Sequence, residues 1–122
     1  MDCLFCNIPK ERIVLENALA FVIFDGFPVS PGHALIIPKR HVDNYFDLAS
    51  DEINAIHQLL SQTKGLIERT HKPDGYNIGV NVGEYAGQSI FHVHMHIIPR
   101  YKGDVQNPRG GVRGVIPWKQ GY

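Results

Sequence analysis

Five stretches of the chain carry a regular apolar pattern, and the period changes between them. Leu19 to Asp25 (LAFVIFD) and Ala34 to Lys39 (ALIIPK) are short, nearly continuous apolar runs rich in β-branched and aromatic residues, and they predict buried strands. Between them GFPVSPGH (Gly26 to His33) holds two prolines and two glycines, so the chain turns there and the second strand returns antiparallel to the first. From Ser50 the period lengthens to that of a helix. Ile53, Ile56, Leu59, Leu60, Leu66 and Ile67 recur at steps of three and four and make one apolar face. Ser50 is the predicted N-cap, Asp51 and Glu52 suit the positive end of the helix dipole, and Pro73 sets the latest possible end. Tyr76 to Gly83 (YNIGVNVG) and Phe91 to Pro99 (FHVHMHIIP) alternate as a third and a fourth strand around a small-residue loop, EYAGQS. From Lys102 the tail is rich in Gly, Pro and Arg and has no period. Strands adjacent in sequence with one main helix predict an α+β fold around an antiparallel sheet.

At 122 residues the chain reads as a single domain over 1–122, with 100–122 as a C-terminal tail, and is long enough to bury a core without staples. Twelve basic and twelve acidic residues cancel, so no overall field draws it to nucleic acid or to an anionic membrane. Lys39 and Arg40, and then Arg100, Lys102, Arg109 and Arg113, form two local basic stretches that suit a small anionic ligand better than a polyanion. No apolar run approaches the roughly 18 residues of a membrane span. MDCLFCNIPK at the start has an acidic second residue and no apolar signal core, so a cytoplasmic location is expected. The two cysteines, Cys3 and Cys6, stand as C-x-x-C, which fits a thiol pair or a metal site better than a disulfide.

The alternation at Phe91 to Pro99 carries the candidate chemistry. Side chains of a strand alternate between faces, so His92, His94 and His96 share one face and Val93, Met95 and Ile97 the other. One histidine is easily satisfied inside a core. Three in alternation would each need a separate buried partner, so the imidazole face must look onto a polar cleft, a metal or another subunit. H-x-H on a strand can supply zinc ligands, yet no H-E-x-x-H pattern accompanies it and no carboxylate lies within the triad. Just upstream, NVGEYAGQS offers backbone N–H groups, Gln88 and Ser89 to a phosphate. A phosphate beside a row of histidines points to imidazole as a nucleophile that forms a covalent intermediate.

HVHMHII, the upstream G-Q-S and the P-G-H-A-L-I-I-P segment together resemble the histidine triad (HIT) family of nucleotide hydrolases and transferases. The resemblance extends over CLFCNI, FDGFPVSPGHALIIPKRHV and NVGEYAGQSIFHVHMHIIPR, almost the whole chain. It implies an antiparallel sheet of about five strands with one long and one short helix, joined across a symmetric homodimer whose tail reaches the neighbouring subunit. It also implies that His94 attacks the α-phosphorus of a purine nucleoside 5′-phosphate derivative and that water then releases the monophosphate. By the same resemblance His96 and His33 flank the phosphate, Gln88 and Ser89 contact the phosphate and leaving group, and Asn81 and Gly87 lie on the phosphate side. Asp25 would hold the ribose hydroxyls. Leu4, Phe5, Ile8 and Ile23 match an apolar base slot, and ordinary core packing explains them equally well.

Some branches of the family hold structural zinc through a Cys-x-x-Cys pair, a histidine eight residues after the P-G-H histidine, and the first triad histidine. Those positions are Cys3, Cys6, His41 and His92, so all four ligands are present. No organic cofactor is implied. His57 and His71 take no functional role, one on the helix flank and one at its end. IIPRYKGD after the triad resembles the branch that cleaves dinucleoside polyphosphates such as diadenosine tetraphosphate, whereas Asn81 and Asp25 resemble the adenosine 5′-monophosphoramidase branch. Arg109 and Arg113 fit either the far phosphates of a polyphosphate or a solvated tail, and Trp118 is distant from the triad. A non-catalytic nucleotide-binding module is the remaining alternative.

Overall fold

The computed structural model describes residues 3–122. Its strands are β1 (Ile13–Glu16), β2 (Ala20–Phe24), β3 (Ala34–Pro38), β4 (Gly75–Gly79) and β5 (Met95–Arg100), and its helix α1 spans Ser50–Thr70. All strand pairs are antiparallel, in the order β1-β2-β3-β5-β4. Helix α1 lies on one face of this sheet, against β1, β2 and β3.

The continuous apolar runs of β2 and β3 follow from a sheet covered on both faces. Ala20, Val22, Ala34 and Ile36 pack toward α1 with Met95, Ile97, Ile56, Leu59 and Ile67. The alternate residues, Phe21, Ile23, Leu35 and Ile37, form a second core with Phe5 from the N-terminal segment. Residues paired across a sheet share a face. Ile23 pairs with Leu35, and Leu35 pairs with His96, so an apolar row on this second face ends at the third triad histidine.

Several boundaries differ from the sequence expectation. β1 was not anticipated. It is a half-exposed edge strand of four residues, joined to β2 by a tight turn in which Asn17 Oδ1 accepts from the amides of Leu19 and Ala20 at 3.1 and 2.9 Å. Ser50 is the first helical residue and not the cap. Ala49 occupies the N-cap, and the Glu52 carboxylate accepts its backbone N–H at 2.9 Å. A second, short α-helix is not found among the described residues, which contain instead six short 3-10 turns. β4 stops at Gly79 rather than Gly83, and β5 begins at Met95 rather than Phe91. His92 and His94 therefore precede the paired strand. Pairing of β5 with β3 ends at the Ile36–Met95 pair, and β3 closes on Pro38, which has no N–H to donate. Upstream of Met95 the chain is held instead by Val93, whose amide donates to the Val42 carbonyl at 2.7 Å. The side-chain alternation survives: Val93, Met95 and Ile97 are buried in the core against α1, as their spacing predicts. Among the described residues no helix is long and apolar enough to cross a membrane.

Candidate active site

His33 closes the loop between β2 and β3, where Asp25 N donates to the His33 carbonyl at 2.9 Å. The preceding Gly32 has φ +88°, and a Cβ there would lie 3.3 Å from the His71 ring and from Pro99. Glycine is thus needed twice over in the P-G-H step, for its backbone angle and for the close approach. The Val29 amide donates to His33 Nδ1 at 3.1 Å. Nδ1 is therefore unprotonated, Nε2 carries the proton, and Nε2–H donates to His96 Nδ1 at 2.9 Å. The chain of donors leaves His96 with its own proton on Nε2. Burial lowers the pKa of both rings. His33 is held below the usual histidine range although Asp25, 3.5 Å away, opposes the shift. His96 is pushed down to about 4, by burial first and then by its histidine neighbours. Both are neutral donors near neutral pH.

His94 is fixed differently. Its Nδ1–H donates to the His92 carbonyl at 2.8 Å, so Nε2 keeps its lone pair. The Phe5 ring meets the His94 ring edge-on, 5.0 Å between centroids at 78°. An imidazole with a bare, oriented Nε2 is a ready nucleophile.

Phe5, His94 and His96 line a cleft of about 320 Å³, and His33 reaches it only through its hydrogen bond to His96. Leu4, Phe5, Ile23 and Leu35 give it an apolar part of its lining, and Asn81, Gly87 and Ser89 line it together with His94 and His96. Asp25 also lines it, with one carboxylate oxygen accepting from the Phe27 amide at 2.8 Å. Gly87, at φ +96°, ends the 3-10 turn Glu84–Ala86 and turns the loop back toward the cleft.

Two predicted site residues lie elsewhere. The Gln88 side chain is buried beneath the loop. Its Oε1 accepts from Gly83 N at 2.9 Å, and its amide donates to the Asp43 and Ile90 carbonyls at 2.8 and 3.2 Å. Gln88 is thus a scaffold for the loop, with its amide hydrogens engaged. Ile8 packs against the second core and does not line the cleft. Conversely, Arg12, Phe27, Leu35 and Ile90 line the cleft without having been singled out in the sequence. Leu35 enters through its pairing with His96, which only the folded sheet sets, and Arg12 and Phe27 had no local signal.

Residues 7–103 match the family model for the HIT domain. The chain belongs to the HIT family. It is similar to the bis(5′-adenosyl)-triphosphatase of Dictyostelium discoideum, 35% identical over 100 residues that cover 82% of this chain and 67% of the relative. It is also similar to an adenosine 5′-monophosphoramidase of Schizosaccharomyces pombe, 36% identical over 104 residues, 82% of this chain and 75% of the relative. Among solved structures, a HIT family protein from Bacillus anthracis superposes with TM-score 0.78 at 34% identity, covering 84% of this chain and 76% of that one. A zinc-bound histidine triad protein from Mycobacterium smegmatis gives TM-score 0.76 at 28% identity, covering 87% and 80%. The five-stranded antiparallel sheet with one helix is thus the fold of HIT proteins.

In this HIT chain the first triad histidine faces away from the cleft. His92 is fully buried, and its Nε2–H donates to the Pro38 carbonyl at 2.7 Å. Its Nδ1 lies 3.4 Å from Cys3 Sγ and 3.5 Å from Cys6 Sγ, and His41 Nδ1 lies 3.3 Å from Cys6 Sγ. All four donor atoms fall within 4.8 Å of one another. Two ligands on one tetrahedral zinc, one sulfur and one nitrogen, stand about 3.5 Å apart. The ring nitrogen turned away from the sulfurs has an acceptor in each case, Pro38 O for His92 and Asp43 Oδ1 at 3.1 Å for His41, which is the support that metal-bound imidazoles require. The donor set and its surroundings fit zinc.

The C-terminal tail folds on itself. Arg109 and Arg113 both lie over the Tyr122 ring, 5.1 and 4.5 Å from its centroid, and Arg113 also donates to the carbonyls of Lys119 and Gln120. Neither arginine lines the cleft, and Trp118 is exposed. His57 is exposed on α1, and His71 follows its last turn as the C-cap.

Proposed function

We propose that the chain hydrolyses purine nucleoside 5′-phosphoryl compounds through a nucleotidyl group carried on His94. The observation that carries this reading is the hydrogen bond from His94 Nδ1 to the His92 carbonyl, which leaves Nε2 as a lone pair facing the cleft beside the N–H of His96. Nε2 attacks the α-phosphorus, the bond from phosphorus to the leaving group breaks, and the leaving group departs with that electron pair and takes a proton from solvent, which the water of the second step gives back. Water then attacks phosphorus, the P–N bond breaks back to Nε2, and the nucleoside monophosphate leaves. The His96 donor and the loop bearing Asn81, Gly87 and Ser89 stabilise the charge on the phosphoryl oxygens. The apolar end takes the base and Asp25 accepts from the ribose hydroxyls. Dinucleoside polyphosphates such as diadenosine tetraphosphate, and adenosine 5′-monophosphoramidate, both meet these requirements at the phosphorus.

Zinc on Cys3, Cys6, His41 and His92 has a structural place in this reading, supplying a cross-link between the N-terminal segment and the sheet. A symmetric homodimer and a cytoplasmic location complete it, and sedimentation of the pure protein tests the first. His94→Ala tests the mechanism. Turnover is expected to fall by about 10³-fold or more while nucleotide monophosphate still binds. Acid-quenched wild-type protein is expected to carry one nucleotidyl group, located by mass spectrometry on His94. Full turnover in the variant sinks the mechanism. Tight binding with no turnover by the wild type on any substrate makes the chain a nucleotide-binding module instead.

A further inference from the structure

We infer that Arg12 reads the edge of the base in the cleft, and that the chain selects 6-oxopurine nucleotides, those of guanine and hypoxanthine, over adenine nucleotides. This rests on the reading of the cleft as a nucleotide site and names the base it takes.

The cleft holds few polar side chains, and all but one already have a place on the nucleotide. Asn81, Ser89, His94 and His96 serve the phosphate, and Asp25 serves the ribose. Leu4, Phe5, Ile23 and Leu35 offer apolar contact, which holds the faces of every base and distinguishes none. Arg12 is the polar side chain left over. Of Lys, Arg, Asp and Glu residues, only Arg12 and Asp25 line the cleft.

Cross-strand pairing sets where the guanidinium lies. His96 on β5 pairs with Leu35 on β3, Leu35 with Ile23 on β2, and Ile23 with Ile13 on β1. One row on the cleft face therefore runs from the phosphate side to β1. Neighbouring strands stand about 4.8 Å apart, so β2 is about 10 Å and β1 about 14 Å from β5. Arg12 immediately precedes β1, and its Nη2 donates to the Phe24 carbonyl of β2 at 3.2 Å. A Cβ on Gly26 would lie 3.8 Å from the same nitrogen. The guanidinium is thus held beside the segment Phe24 to Gly26, two strand spacings from β5. A nucleotide with phosphorus at His94 and ribose hydroxyls on Asp25 keeps its phosphates away from Arg12 and sends its base toward it.

The chemistry of the fork then chooses the base. A guanidinium only donates, through a planar array of N–H groups. Arg12 spends one on Phe24, and among the described residues no carboxylate pairs with it. Guanine and hypoxanthine present O6 and N7 as adjacent acceptors that match two N–H groups of the fork. Adenine places its N6 amino donor beside N7, so the second N–H would meet another donor. Asp25, the one carboxylate of the lining, accepts from the Phe27 amide and is assigned to the ribose, so no carboxylate is left to favour the N6 amino group.

Calorimetric titration with GMP, IMP, AMP and 7-deaza-GMP tests this on the wild type, on Arg12→Met, which keeps an unbranched stem without donors, and on Arg12→Lys, which keeps the charge without the fork. The wild type is expected to bind GMP and IMP about tenfold more tightly than AMP, with 7-deaza-GMP falling toward AMP. In both variants the GMP-to-AMP affinity ratio is expected to fall to within about twofold of one. The kcat/KM ratio of guanosine to adenosine 5′-phosphoramidate is expected to follow the same order. Equal or tighter binding of AMP by the wild type overturns the inference, as does equal binding of 7-deaza-GMP and GMP. Both results need no variant to fold. A GMP preference that persists in Arg12→Met, or four affinities that fall together with their ratios kept, makes Arg12 a support for the β2 edge and also overturns it. A GMP preference without turnover leaves the base reading standing while the His94 mechanism fails. No binding of any monophosphate removes the nucleotide cleft, and this inference with it.

Discussion

Three histidines separated by single residues end up with three different proton arrangements, each set by one hydrogen bond. His92 gives its Nε2 proton to Pro38 O, His94 its Nδ1 proton to His92 O, and His96 receives at Nδ1 from His33. The last pair has a measurable consequence. His96 is held neutral down to about 4, against an ordinary value of 6.5, chiefly because it is buried. A depressed folded-state pKa means that the unfolded chain binds the extra proton first as pH falls. The stability that rests on neutral His96 is therefore fully present above pH 6.5 and is lost as pH falls toward 4, by at most about 3 kcal/mol. His33, also depressed by burial, contributes with the same sign. Urea denaturation of wild type and His96→Gln at matched pH isolates the term, since zinc ligands and carboxylates titrate equally in both. The wild type is expected to lose stability relative to the variant between pH 6.5 and 4. A constant difference across that range contradicts the burial-lowered pKa of His96.

At the scale of elements, the start of α1 separates a motif from its geometry. Ser50 has the residue type of an N-cap, but the capping contact is made by Glu52 back to Ala49 N, and Glu52 is also gripped by Arg40 Nε and Nη2 at 3.0 and 2.7 Å. Glu52→Ala is expected to lower stability by about 1–2 kcal/mol, and Ser50→Ala by less than about 0.5 kcal/mol. The reverse order in thermal or urea unfolding contradicts this assignment. The same offset of a residue or a few explains what was legible in the sequence. Period alone placed α1, β2 and β3, because each buries a regular face over several turns or a whole strand. It overran β5, because the ladder with β3 ends at the Ile36–Met95 pair and Phe91 and His92 lie in a bend, and period does not register pairing. It missed β1, whose four half-exposed residues are too few to establish a period. The cleft residues were legible where they sit in motifs, as His94, His96, Gly87 and Ser89 do. Leu35 joins the cleft through register, and register is a property of the folded sheet.

Across the whole molecule, the four-ligand cluster and the nucleotide cleft are joined through one short turn, Leu4–Cys6. Cys3 and Cys6 flank Phe5, which is buried against Phe21, Ile23, Leu35 and Ile37 and also packs edge-on against both His92 and His94. Metal held by Cys3, Cys6, His41 and His92 would fix this turn to the β3 end and to the triad, and so hold the wall of the apolar slot formed by Leu4 and Phe5. Chelation, or Cys3→Ser, should therefore act first on nucleotide binding. KM for nucleotide substrates is expected to rise about fivefold or more with a smaller fall in kcat, because the slot loosens while the His94 Nδ1 hydrogen bond to a backbone carbonyl persists. Thermal unfolding is expected to shift down by about 5 °C or more, as the N-terminal segment loses its cross-link. Metal content, melting temperature and steady-state kinetics on the same preparations test the coupling together. Loss of kcat with KM and melting temperature unchanged would put the metal in the reaction and not in the scaffold. Unchanged stability and kinetics on metal removal would mean that Phe5 holds the turn by packing alone, with the sulfur and imidazole donors adding nothing to the cleft.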